Sequence, residues 1–319
     1  MKALYSRKYL DHISFNDMLV PFERYLHKLE YHRNEITKLK LHEKDFLFRA
    51  MHAFYYASGD KRYDGFNIPE LKECLFFWVI LLHSNMTMVF DGFVPGHDNR
   101  PLTPNEKRRN KRFFYEYLNV WKNQIEKGEG AYCSIIKPAI YRKIKDWRNL
   151  AEKKGLPSEV LKQKEIFIYG CFFDIYYHVK LYFDELPNPY IVKKINGIDI
   201  EFNVFSCVHI YGRHYIPNMN LDLGDASMNP EMDAVNLDEL PDSIFDLLEK
   251  FNASHPINNE TQYCLFKWKG KCFILWLKYK RLNGTGDEGL EVRSFYKCIK
   301  DEDLSKFKDN NWIELSNNL

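Results

Sequence analysis

Residues 207–217 read Cys-Val-His-Ile-Tyr-Gly-Arg-His-Tyr-Ile-Pro, which places two histidines, an arginine and two tyrosines in one short segment. His209 and His214 exchange protons closest to neutral pH, so one can take a proton while the other gives one. Arg213 brings a planar fork of N–H donors that suits phosphoryl oxygens. Further along, Ser294 and Tyr296 stand two residues apart, a spacing that puts both hydroxyls on one face of a strand.

Such a set suits cleavage of an RNA phosphodiester. The ribose 2′-hydroxyl attacks the adjacent phosphorus while a neutral imidazole accepts its proton. A protonated group supplies a proton to the departing 5′-oxygen. Arg213 then stabilises charge on the phosphoryl oxygens, and Ser294 and Tyr296 support it by hydrogen bonding. The reaction needs no metal or other cofactor. His209 and His214 have no third ligand at zinc-binding spacing, so no metal site is expected. The competing role for a histidine in an apolar segment is hydrogen-bonded packing.

These side chains must be positioned by the elements around them. Phe202, Val204, Phe205, Val208 and Ile210 are strand-forming types, so the segment is expected to be a strand broken at Gly212. On a straight strand residues 209 and 213 share a face and 214 turns away. A bend or bulge at Gly212 would bring all three together. Before it, residues 191–195, Asn196-Gly197 and 198–203 spell a hairpin. Residues 218–238 are acidic and aperiodic, which predicts a loop or insertion. A helix from Leu240 follows, then strands over 262–268 and 272–280 joined by a tight turn, then a strand over 290–299. Residues 306–315 are expected to form a cap or an edge strand.

The first half of the chain reads as helical. Apolar residues recur every three to four positions over 15–57, and a nearly all-apolar helix is expected over 67–90. Thr103-Pro104-Asn105-Glu106 carries helix-start signals. Lys107, Arg108, Arg109, Lys111 and Arg112 then crowd the first two turns, where the helix dipole disfavours cations. These five are the candidate nucleic-acid contacts, the alternative being a solvated face. Further helices are expected from Lys137-Pro138 to Gly155 and from Ser158 to Phe183, ending at Leu186-Pro187-Asn188-Pro189. The expected fold is therefore α+β: an all-helical targeting or regulatory domain over 1–187, followed over 190–319 by a small antiparallel-sheet domain with one or two helices.

His209-Ile-Tyr-Gly-Arg213-His214, the helix over 242–253, the strand pair over 262–280 and Ser294-Phe-Tyr296 together resemble the barnase–EndoU–colicin–RelE-type nuclease superfamily, in particular its phage-associated branch. The likeness covers about residues 190–300. It implies a toxin-like, metal-independent ribonuclease whose site residues are His209, Arg213, His214, Ser294 and Tyr296, an RNA substrate, and room for a protein partner or inhibitor. A second pattern, Arg7-x4-His12, has the spacing found in helical nucleotide-binding ribonucleases. The non-enzymatic alternative is a nucleic-acid- or protein-binding module of the phage structural or anti-defence kind.

Composition sets the outer bounds. The chain has 319 residues, 45% of them apolar and 16% aromatic, enough to build two cores. The net charge of +2 hides an asymmetry, with 31 Lys and Arg against 24 Asp and Glu up to Tyr190 and 15 against 20 beyond it. Seven scattered cysteines without a Cys-x-x-Cys pair suit a reduced, cytoplasmic protein. The amino terminus has no apolar leader pattern and no apolar run is long enough to span a bilayer, so no membrane association is expected.

Overall fold

A computed structural model describes residues 15–32, 38–40, 43, 46–47, 103–184, 186–215, 240–309 and 311–315. The expected helix over 67–90, the Arg7-x4-His12 pattern and the acidic stretch 218–238 lie outside them. The chain divides into two compact units. One comprises residues 2–129 and 155–174, and the other 130–154 and 175–319. The boundary expected at 187–190 therefore falls inside the second unit, which also takes one whole helix and the end of another from the helical half.

The first unit contains α1 (Phe15–Tyr31), α2 (Pro104–Lys127) and the first part of α4 (Ser158–Phe183). Trp121 on α2 is fully buried. Its indole N–H donates to the Tyr169 carbonyl at 2.9 Å, and its ring meets Phe173 edge-on at 5.2 Å. Lys28 on α1 pairs with the buried Glu43 at 2.7 Å, which also accepts from the Lys40 backbone N–H at 2.7 Å. No helix among the described residues is long and apolar enough to cross a membrane.

The second unit contains α3 (Cys133–Lys154), the end of α4 and a six-stranded sheet, so the protein is α+β with its helical part first. α3 starts at Cys133, a turn ahead of the Lys137-Pro138 start expected from sequence, and holds Pro138 inside it. The strands are β1 (Tyr190–Ile195), β2 (Ile198–Asn203), β3 (Tyr263–Trp268), β4 (Lys271–Arg281), β5 (Glu288–Lys297) and β6 (Trp312–Glu314), in the order β1-β2-β5-β4-β3-β6. β1–β2, β3–β4 and β4–β5 are antiparallel, as the hairpin signals require. The sheet as a whole is mixed, because β2 joins β5 and β6 joins β3 in parallel. Sequence separation hides both pairings.

Two turns explain why the hairpins form where they do. Asn196 and Gly197 take φ of 50° and 80°, and Lys269 and Gly270 take 48° and 72°. Positive φ at both central positions matches the right-handed twist of the flanking strands. On one sheet face Phe266, Phe273 and Phe295 are fully buried, with Phe273 stacked on Phe295 at 5.7 Å. Each such ring contributes about 1.5–3 kcal/mol on burial. α6 (Leu240–Ser254) packs on this side, its Phe251 meeting Phe266 at 5.9 Å. Against the other face lie Tyr263, Trp276 and Tyr296, around a cluster of Leu265, Ile274, Cys298 and Phe307.

The segment expected as a strand broken at Gly212 is helical. β2 ends at Asn203, α5 spans Val204–Ile210, and a π-helical turn continues over Tyr211–Tyr215. Asn203 is the cause. Its side chain accepts from the Ser206 backbone N–H at 3.0 Å, while the Ser206 hydroxyl accepts from the Asn203 N–H at 3.2 Å. This reciprocal cap starts a helix. Val204, Cys207, Val208 and Tyr211 are buried along it. The same apolar residues that fit a pleat therefore fit a helix face, and the cap decides between them.

Candidate functional site

His209 and Arg213 are separated by four residues, which places them on the same side of a helix. Both line a pocket of about 320 Å³ together with Ser294, Tyr296, Arg293 and Lys300. α5 packs on β5, so the helix sets one wall and the strand another. Trp276 on β4 and Asp303 on the short helix α7 (Asp301–Ser305) complete the lining. Of the five residues expected from sequence, His209, Arg213, Ser294 and Tyr296 line this one pocket, the first two through helical rather than strand periodicity. His214 follows Arg213 in the π-helical turn, and its side chain is outside the described residues.

His209 is half-buried, its ring 5.4 Å from that of Phe205. Burial lowers its pKa to about 4, helped by the nearby charges of Arg213, Arg293 and Arg142. It is therefore neutral at pH 7, the form that accepts a proton. Its conjugate acid is scarce at that pH, so His209 is poorly suited to be the proton donor.

Tyr296 is tied at both sides of its hydroxyl. It accepts from the Trp276 indole at 3.0 Å and donates to Asp303 at 3.1 Å. Burial and the neighbouring Asp303 carboxylate push its pKa up to about 12, against the weaker opposing effect of the Trp276 hydrogen bond. It is a neutral donor at pH 7. Asp303 also receives Lys306 at 3.2 Å. Ser294 is buried beside them.

Arg293, Lys300 and Trp276 are not singled out by sequence. Alternation along β5 turns Arg293 away from its neighbour Ser294. The β4–β5 register, however, passes from Trp276 opposite Ser294 to Leu277 opposite Val292, leaving Arg293 as the extra residue of a bulge. Bulges re-aim side chains in this way. The bulge also reverses the phase of alternation, so Glu291 shares a face with Ser294 and Tyr296. The legible signal is a charged pair, Glu291 and Arg293, inside an otherwise apolar strand.

A buried polar network adjoins the pocket. Glu201 and Glu291 are fully buried side by side on β2 and β5, and the Asn203 amide donates to them at 2.7 and 2.9 Å. Glu201 also accepts from the Gly284 N–H at 2.8 Å, which ties down the β4–β5 turn. Burial opposes ionisation of Glu291, but hydrogen bonds from Arg293, Asn203 and Lys280 outweigh it and hold the carboxyl below its usual range.

On α2, Arg108 and Arg112 are exposed, whereas the side chains of Lys107, Arg109 and Lys111 are outside the described residues. Among the described residues, no three His, Cys, Asp or Glu side chains gather where they could hold a metal ion. No family model, curated protein or solved structure matches this chain.

Proposed function

We propose that the pocket binds an RNA phosphodiester and that residues 190–319 act as a metal-independent ribonuclease, an effector of the toxin or phage-conflict kind acting on cytoplasmic RNA. The observation that carries this reading is the meeting of Arg213, Arg293 and Lys300, from three separate stretches of chain, around a neutral imidazole and two hydroxyls. Glu291 pairs with Arg293, and Asp303, itself paired with Lys306, lines the same hollow, yet the cations outnumber these carboxylates, and a phosphate offers oxygens enough for all three. His209 accepts the proton of the attacking 2′-hydroxyl, Arg213 and Arg293 clamp the phosphoryl oxygens, Ser294 donates a hydrogen bond, and Tyr296, whose O–H is given to Asp303, supports that wall of the pocket. The sequence offers His214 for the proton that goes to the 5′-oxygen. The products are a 2′,3′-cyclic phosphate and a 5′-hydroxyl end. The basic start of α2 supplies additional contacts to the RNA backbone.

The test is to incubate the full chain with RNA in the presence of EDTA and to identify the ends by mass spectrometry. Cyclic-phosphate ends are expected, falling by at least about a hundredfold with H209A, a loss typical of removing one acid–base group. Intact RNA in the wild-type reaction overturns the nuclease reading.

The depressed proton affinity of His209 favours a second reading. A pocket of cations around an imidazole that stays neutral at pH 7 binds anions without proton transfer. The protein then binds nucleic acid or an acidic partner without cleaving it, as a phage structural or anti-defence protein would. Salt-sensitive RNA binding with no cleavage distinguishes this outcome.

A further inference from the structure

Arg293 reaches the pocket from a bulge, where the backbone alone does not fix a long side chain. Two groups hold it. The Glu291 carboxylate accepts from its guanidinium, and the guanidinium lies over the Phe205 ring at 4.1 Å. Glu291 is only 2% exposed, and it is held in turn by the Asn203 amide at 2.9 Å and Lys280 at 3.0 Å. Burying a carboxylate costs several kcal/mol unless donors surround it, so the sequence carries an expense here that an apolar residue would avoid. Three donors from three strands offset that cost and leave the carboxylate facing Arg293.

We infer that Glu291, with Phe205, is the positioning pair that presents Arg293 to the phosphate pocket. Glu291 itself touches no bound anion. It acts by fixing one guanidinium edge so that the remaining N–H groups are pre-aimed at the ligand, which cuts the ordering cost of binding. The inference rests on the phosphate-binding reading for its purpose, but the hold on Arg293 can be measured without a ligand.

The experiment uses the full chain in the wild type and in E291Q, R293A, F205L, E291Q/R293A and F205L/R293A. The first readout is the titration of the His209 imidazole by NMR with no ligand. Arg293 is one of the charges that depress it, beside Arg213 and Arg142. R293A raises the His209 midpoint, and E291Q reproduces most of that rise because the guanidinium is released. Removing the negative charge of Glu291 without releasing Arg293 would move the midpoint the other way or leave it unchanged. The sign therefore separates positioning from a direct charge effect. The second readout is calorimetric affinity for inorganic phosphate. R293A and E291Q each lose about tenfold, comparable to one charge-assisted hydrogen bond. E291Q/R293A loses no more than R293A. An unchanged or lowered midpoint in E291Q, or an additive loss in the double variant, overturns the inference. If E291Q fails to fold, F205L decides it. Because Phe205 also shields His209, phosphate affinity is the readout there: no further loss in F205L/R293A beyond R293A supports the pair, and an additive loss overturns it. If the wild type binds no phosphate, the pocket reading fails, while the His209 midpoints still decide the role of Glu291.

Discussion

His209 shows how burial, with three neighbouring guanidinium groups, changes what an imidazole can do. An unfolded His209 takes up a proton near pH 6.5, whereas the folded one resists until about pH 4. The unfolded state therefore holds more protons within that window, and stability falls as pH drops through it. The full contribution is present above about pH 6.5 and is lost by about pH 4, at most on the order of 3 kcal/mol. Replacing His209 by Phe removes this proton uptake. Urea denaturation followed from pH 7 to 4 is expected to show a flatter stability profile in H209F than in the wild type. Glu291 also weakens the fold on acidification, but its contribution begins to fall only as pH drops through about 4.5, the ordinary carboxylate value, because its folded pKa lies lower. The two effects thus separate along the pH axis. Saturating inorganic phosphate, by offsetting the cations, is expected to raise the His209 midpoint. An unchanged midpoint at saturating phosphate would place the anion elsewhere.

At the level of elements, Asn203 joins the sheet to the helix that carries the site. It ends β2, caps α5, and donates to two buried carboxylates. N203A removes the cap, worth about 1 kcal/mol. It also strips one donor from Glu201 and Glu291, adding about 1–3 kcal/mol for buried acceptors left short. The expected loss of about 2–4 kcal/mol is read from the urea midpoint. Weaker phosphate binding follows from the displaced His209 and Arg213. The β1–β2 turn is a milder case. Gly197 sits at φ 80° with open space where an added methyl group would stand, so G197A costs about 1 kcal/mol from backbone strain alone. A loss much above that would mean the turn does more than reverse the chain.

At the scale of the whole molecule, charge and thiols make separate predictions. Binding of single-stranded RNA through phosphate contacts falls with added salt, and the logarithmic slope reports the number of contacts. R213A is expected to reduce the slope by about 0.7, the value for one contact on a single strand. R108E/R112E is expected to reduce it too if the start of α2 touches RNA. A slope unchanged in R108E/R112E would leave that patch a solvated face. Among the described residues, Cys133, Cys171, Cys207, Cys264 and Cys298 are buried and Cys272 is half-buried. Burial pushes the Cys207, Cys264 and Cys298 thiols up, so they stay protonated and unreactive. Mass-mapped alkylation under native conditions is expected to label Cys272 ahead of the other five.

Local chemistry is legible in the order of residues. Asn196-Gly197 announces its turn because few dipeptides accept positive φ twice in succession, whereas at Lys269-Gly270 only the glycine between two apolar runs marks the turn. The Leu240 helix and the β3–β4–β5 meander follow from apolar periodicity over short spans. The pairing of His209 with Arg213, and of Ser294 with Tyr296, also comes from spacing, although the first holds by helical rather than strand geometry. The amino-acid order alone leaves residues 204–211 undecided, since branched and aromatic residues satisfy either period, and only the reciprocal bond between Asn203 and Ser206 selects the helix. The parallel joins of β2 to β5 and β6 to β3, the bulge at Arg293 and the burial of Glu201 beside Glu291 depend on strands far apart in the chain. Tertiary packing decides these, because only the assembled sheet brings enough donors together to hold two carboxylates away from water and turn an arginine towards the pocket.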